Sequence, residues 1–218
     1  MVINDAVVFL PVILQGLQST LIVTVLAFLL STVLGLVWVF MRVSGVRLLD
    51  SSSRVIVNVL RGVPALVQLY YLYFVMPQLG IKLSAMEAAV IGLGVAYSAY
   101  QAEIFRAGIE AIDQGQLEAA QSIGMGWGLT MRRVILPQAV RIILPAYGNN
   151  MITVLKSSSL ASTITVAEIT LQGDLLASST FKNLSVYTLL ALLYLAMSLP
   201  LIGMVSWLEK RFGSAGKR

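Results

Sequence analysis

Residues 118–139 read EAAQSIGMGWGLTMRRVILPQA, running from Glu118 to Ala139. The stretch is a polar, charged island with three closely spaced glycines, Gly124, Gly126 and Gly128, and it ends on a Leu136-Pro137 step. Outward from it in both directions the chain turns apolar. Of its 218 residues 58% are hydrophobic and only 11% are charged, with a mean hydropathy of +0.87. A soluble domain carries roughly 25% charged residues, so the deficit makes a lipid bilayer the expected solvent. A spanning helix needs roughly 20 apolar residues, so the chain has room for a bundle of about five spans. The island is then a loop between two spans of an all-α integral membrane protein.

The composition also excludes functions. With no histidine and no cysteine, the chain lacks the commonest catalytic base and metal ligand, and it lacks thiolate chemistry. It contains no GxxxxGK[ST] phosphate loop, no metal-ligand spacing and no nucleophilic triad. No cofactor is expected on this chain, and catalysis by it alone is not expected. The net charge of +5 does not point to nucleic acid, because apolar runs separate the basic residues into clusters. Asn4 and Asp5 precede the first apolar run, unlike the basic start of a cleaved signal peptide, so the N-terminus is expected to be retained.

The first charge-free run, from Ala6 to Met41, is too long for one simple span. Pro11, Gly16, Gln18 and Ser19 mark a break, so a short interfacial segment is expected before a helix near 18–41. Further spans are expected near 55–77, 85–110, 139–162 and 185–208. Of fifteen basic residues, twelve gather around alternate connections: Arg42, Arg47, Arg54 and Arg61, then Arg106, Arg132, Arg133 and Arg141, then Lys210, Arg211, Lys217 and Arg218. Lys82 and Lys182 occupy the opposite connections and Lys156 lies inside a span. The positive-inside rule makes the twelve cytoplasmic, with the N-terminus outside and the C-terminus inside. The island at 118–139 then falls on the cytoplasmic face.

The island resembles the EAA loop of ABC importer permeases: Glu-Ala-Ala, three residues, Gly, nine residues, Ile, one residue, Leu-Pro. Val134 stands at the Ile position, and the other named positions match. The flanking segments RGVPALVQLYYLYFVMPQLGI (61–81), AYQAEIFRAGIEAIDQGQLEAAQSIG (99–124) and LPQAVRIILPAYGNNMITVLKSSSL (136–160) look like the permeases of polar amino-acid importers of the histidine, glutamine and arginine type. The resemblance implies a type I ABC importer-like fold. It makes the chain a single permease domain over 1–218, with its core at about 18–208 and its coupling loop at about 113–136. Residues Glu118, Ala119, Ala120 and Gly124 would dock on a cytoplasmic ATPase subunit. Implied partners are two ATPase subunits using ATP and Mg, a second permease subunit, identical or related, and an extracytoplasmic solute-binding protein. The implied location is a bacterial inner membrane.

Physically, a coupling loop needs a short helix that rocks as a unit. Glu118 is expected early in it, at the positive dipole end, with Ala119 and Ala120 permitting close approach and Gly124 a tight turn. Arg61 before Gly62-Val63-Pro64 reads as an interfacial anchor, with gating as the other reading. Glu103 and Arg106 share a helix face and can pair. Gly92, Gly94 and Ala96, with Ser31 and Gly35, suit close helix contact.

The fourth span carries Asn149, Asn150, Lys156, Ser157 and Ser159 among apolar residues. Such a stripe suits a translocation path at a subunit interface, or equally interhelical hydrogen bonding. Gly148 beside the asparagines is expected to weaken the helix. The Lys156 ammonium could meet a substrate carboxylate, with snorkelling or an ion pair as the alternatives. Gln68 and its neighbouring tyrosines are further lining candidates on the second span. The resembled family has acidic residues where Asn150 and Ser157 stand, which argues against a cationic cargo. The expected function is inward movement of a polar amino acid or derivative, driven by ATP on a partner chain. An ion-gradient-driven secondary transporter is the alternative; it would need its own pathway, usually built from internal repeats, and the chain contains none. A membrane scaffold with a docking loop would not explain the matched flanks.

Overall fold

The computed structural model describes residues 2–212, with side chains from residue 5 onward. Lys217 and Arg218 of the basic tail lie outside the described residues. Within them the chain is helical, with no strand. Helix α1 (Val2–Ile13) passes through a 3-10 turn at Leu14–Gly16 into α2 (Leu17–Val43). After α3 (Arg47–Gly62) comes α4 (Ala65–Tyr70), which continues through π and 3-10 turns to Leu79. Helix α5 (Ala85–Glu110) precedes α6 (Gln114–Ser122) and α7 (Trp127–Thr130). A π turn at Met131–Ile135 opens into α8 (Leu136–Ser157), followed by α9 (Ile169–Thr180) and α10 (Asn183–Phe212).

Three glycines set the central packing. A Cβ on Gly94 would stand 2.6 Å from the Leu30 side chain, and one on Gly35 would stand 2.6 Å from the Gln101 Cβ. These contacts align α2 and α5 side by side in the same direction, as the small-residue pattern predicts. Helix α8 runs against them: the Ile143 side chain occupies the place of a Cβ on Gly108, and Tyr147 lies against Phe28 and Phe105 with ring centroids 4.7 and 6.1 Å away. Gly148 does not weaken α8, which is continuous through it. Its missing side chain admits Val205 of α10, 2.6 Å from where a Cβ would be.

The main core joins α2, α4, α5 and α8 through Val23, Phe28, Leu69, Leu93 and Val154. A second one joins α1 to α9 and α10 through Phe9, Ile13, Ile169 and Leu190. Outside these, Leu21, Val25, Leu29 and Val33 line an exposed face of α2, and Leu192, Leu195 and Leu199 one of α10. Apolar surface of this extent is stable only against lipid or another protein.

Three helices are long and apolar enough to cross a membrane: Asp5–Val43, Ala85–Glu110 and Asn183–Phe212. The third expected span, 85–110, coincides with α5. The break expected near Gly16 is a 3-10 turn, and the 39 residues from Asp5 to Val43 continue as one long helix. The single span expected over 55–77 is replaced by two segments, Arg47–Gly62 and Ala65–Leu79, bent by 98°. Pro64 explains the bend, since it donates no backbone hydrogen bond and pushes Val63 out of helical geometry, to φ −104° and ψ 128°. Counted as one span, this pair brings the number to four. Helix α8 is long enough at 22 residues but too polar to join them.

Candidate functional site

Helix α6 carries the Glu-Ala-Ala sequence between α5 and α8. The Asp113 side chain caps it, accepting from the Gly115 backbone N–H at 2.7 Å. That cap starts the helix one turn earlier than the sequence alone indicates. Glu118 is therefore the fifth of nine residues, mid-helix, and the favourable interaction with the positive end belongs to Asp113. The helix stops at Gly124, whose φ of +78° is open to glycine at little cost, and Gly126 then caps α7.

Glu118 and Ala119 are exposed, while Ala120 is 4% exposed and faces the protein. Beside them Ile123 and Trp127 are 76% and 60% exposed. The stretch presents a carboxylate, a small residue and exposed apolar side chains, with Leu117 and Leu129 beside Ile123 and Trp127, over α6, the turn after it and α7.

A cleft of about 470 Å³ opens between the end of α3, α5 and α8. Arg61 forms one wall. Tyr100, Glu103 and Ala107 form the second, and Ala146, Asn149, Asn150 and Thr153 the third. Tyr100 stands ten residues before the end of α5, about 15 Å along the axis at roughly 1.5 Å per residue. The cleft extends from the level of Tyr100 to that of Gly108, within the C-terminal half of α5.

Its polar groups differ in what satisfies them. Glu103 accepts from Arg42 at 2.5 Å and from Arg106 at 2.7 Å, and Arg106 also pairs with Glu110. The expected Glu103–Arg106 pair thus exists inside a four-residue network. Asn150 is 8% exposed, and its Nδ2 has no hydrogen-bond partner among the described residues. The Arg61 guanidinium lies 5.7 Å from the Tyr100 ring centroid and pairs with no carboxylate among the described residues. Arg61 thus stands in the last turn of α3 against Tyr100 of α5.

The other stripe residues stand elsewhere. Gln68 donates its amide to the Leu60 and Val63 carbonyls, each at 2.9 Å, clasping the broken end of α3. Ser157 shares a 2.5 Å hydrogen bond with the Tyr97 hydroxyl, and Ser159 donates to the Lys156 carbonyl at 2.8 Å. Lys156 is exposed in the last turn of α8 and does not line the cleft. Sequence reasoning missed Arg61, Tyr100 and Glu103 as neighbours of the asparagines. Their meeting joins α3, α5 and α8, so no local pattern in the sequence signals it.

Residues 31–214 match the family model of the binding-protein-dependent transport system inner membrane component. The chain belongs to that family. As an inner membrane component of this kind it is a transport subunit, not an enzyme. It is similar to the probable amino-acid ABC transporter permease protein YckA of Bacillus subtilis (strain 168), 38% identical over 93% of this chain and 89% of the relative. It is also similar to the probable glutamine ABC transporter permease protein GlnM of the same organism, 35% identical over 91% and 92%. A crystal structure of an amino acid ABC transporter with histidines contains a chain that superposes with a TM-score of 0.90. That chain is 39% identical, covering 95% of this chain and 97% of its own length. An inward-facing structure of the MetNI methionine ABC transporter shares the fold, with a TM-score of 0.71, 20% identity and coverage of 90% and 96%. The inner membrane component thus has the type I ABC importer permease fold.

Proposed function

We propose that this chain is the membrane-spanning permease subunit of an ATP-driven importer that carries a polar amino acid or a close derivative inward. The observation that carries the reading is α6: a capped, nine-residue helix held outward between α5 and α8, with Glu118 and Ala119 exposed and Ala120 turned to the protein. The amino-acid cargo is supported by the cargo named for the relatives and by the polar side chains Arg61, Asn149, Asn150 and Thr153 in an otherwise largely apolar cleft.

In this mechanism ATP and Mg bind to two partner ATPase subunits. ATP-driven closure of that pair draws two α6 helices together, one from each of two permease subunits, and opens the path outward. Hydrolysis resets it. A solute-binding protein delivers cargo from outside. Glu118, Ala119, Ala120 and Gly124 form the docking element, and Asn149, Asn150 and Thr153 line the path. Lys156, Ser157, Ser159 and Gln68 support or flank it. The proposed topology has five spans, counting the bent pair as one and adding α8, with the N-terminus outside and the C-terminus cytoplasmic in a bacterial inner membrane. Polar α8 would then be shielded by α5, α10 and the second permease.

Substitution Glu118→Lys tests the coupling reading. The expected result is loss of solute uptake together with weakened ATPase association; normal uptake and normal assembly in this variant would sink it.

A further inference from the structure

Arg61 is an arginine without an anion at a depth where one is expected to have it. It stands beside Tyr100, about 15 Å along the axis from the end of α5, and a hydrocarbon core is roughly 30 Å thick. A cation at that depth is costly unless it faces a cavity or a counter-charge. Arg61 faces a cavity, the cleft of about 470 Å³. The one carboxylate in that wall, Glu103, is already held by Arg42 and Arg106. The Tyr100 ring holds the Arg61 guanidinium through its π face. That contact leaves the N–H fork free to donate.

Across the cleft, Asn150 lines the α8 wall and is only 8% exposed. The Arg61 fork is thus a set of donors in the cavity without an acceptor. A guanidinium fork matches a carboxylate in a bidentate geometry that a lysine cannot reproduce.

We infer that Arg61 receives the carboxylate of the cargo in this cleft, opposite the α8 wall that Asn150 lines. The inference rests on the importer reading above and adds the group that orients cargo within it.

The test uses the assembled membrane complex containing this chain, without its solute-binding protein, so that the cleft alone sets specificity. Equilibrium binding is measured with L-glutamine and with 4-aminobutanamide, its analogue lacking the carboxylate. The wild-type complex should bind L-glutamine more tightly. Arg61→Met should weaken L-glutamine by about tenfold or more, the scale of one charge-assisted hydrogen bond, and leave 4-aminobutanamide unchanged. Arg61→Lys should recover only part of the loss. Equal weakening of both probes, or loss of the two-permease assembly in Arg61→Met, would overturn the inference and make Arg61 structural. If Arg61→Met leaves L-glutamine binding intact while Asn150→Ala weakens it, the cleft reading stands and the carboxylate assignment falls. If neither probe binds and Asn150→Ala leaves uptake unchanged, the cleft reading fails and this inference with it.

Discussion

The Arg42 guanidinium on α2 donates to the Glu103 carboxylate on α5 at 2.5 Å, with side chains 15% and 22% exposed. This contact ties the last turn of α2 to the C-terminal third of α5, the two helices that form the centre of the bundle. Arg106 and Glu110 extend the tie along α5.

Removing the shared carboxylate should therefore be costly. Glu103→Gln leaves Arg42 partly buried without a counter-charge, and the expected loss is about 1–3 kcal/mol. Thermal unfolding of the detergent-solubilised chain measures it. Arg42→Met with Glu103→Gln should lose less than the two single changes added together. Strict additivity would mean that the pair contributes nothing.

Two glycines make opposite predictions. A Cβ on Gly16 would stand 2.3 Å from the Glu168 backbone carbon, whereas one on Gly62 would meet nothing within 4 Å. Gly16→Ala should sharply reduce the yield of folded protein, since backbone must move to admit the methyl, at a cost of about 3 kcal/mol or more. Gly62→Ala should fold normally. Size-exclusion profiles of the two variants compare them directly, and equal yields would refute the close approach.

Gln68 acts as a donor to two carbonyls that the α3–α4 break leaves without helical partners. Gln68→Glu keeps the shape but cannot donate when ionised, so it should lower stability by about 1–3 kcal/mol, as should Gln68→Leu. If Gln68→Glu unfolds at the wild-type temperature, the clasp has no energetic weight.

Gln101 is fully buried between α2 and α5, and neither polar atom of its amide has a partner. Replacing such a group by an apolar one of similar shape removes a desolvation penalty. Gln101→Leu is expected to be neutral or stabilising by about 1 kcal/mol in thermal unfolding. A marked loss would reveal a buried water bridging the amide.

Ile123 and Trp127 are large apolar side chains exposed beside α6. Trp127→Ser should leave folding unchanged, because the ring buries little within the chain. It should reduce ATPase co-purification by about tenfold or more, as central aromatic anchors of interfaces do. Undiminished co-purification would remove Trp127 from the docking face.

The long apolar runs and the clustered basic residues made an all-helical membrane bundle legible in the sequence, because a bilayer demands apolar length and penalises charge by depth. The spacing from Glu118 through Gly124 to Leu136-Pro137 marked a short helix, a turn and a helix start for a similar reason: a turn glycine and a helix-starting proline act through local backbone geometry. Even the small residues at Gly35 and Gly94 announced their packing role, since close helix approach needs a missing side chain wherever it occurs.

Tertiary structure alone decided the rest. The sequence reads as a single span over 55–77, and neither its 98° bend nor the approach of Arg61 to the Tyr100 ring follows from local pattern. Helical spacing put Asn149, Asn150 and Lys156 in one polar stripe. Which of them faces the cleft depends on how α8 is rotated against α5, and that rotation is fixed by Ile143 entering the space at Gly108 and Val205 the space at Gly148. Local pattern records what each residue can do in its own helix; side-chain packing between helices distant in sequence selects which face of each helix turns inward.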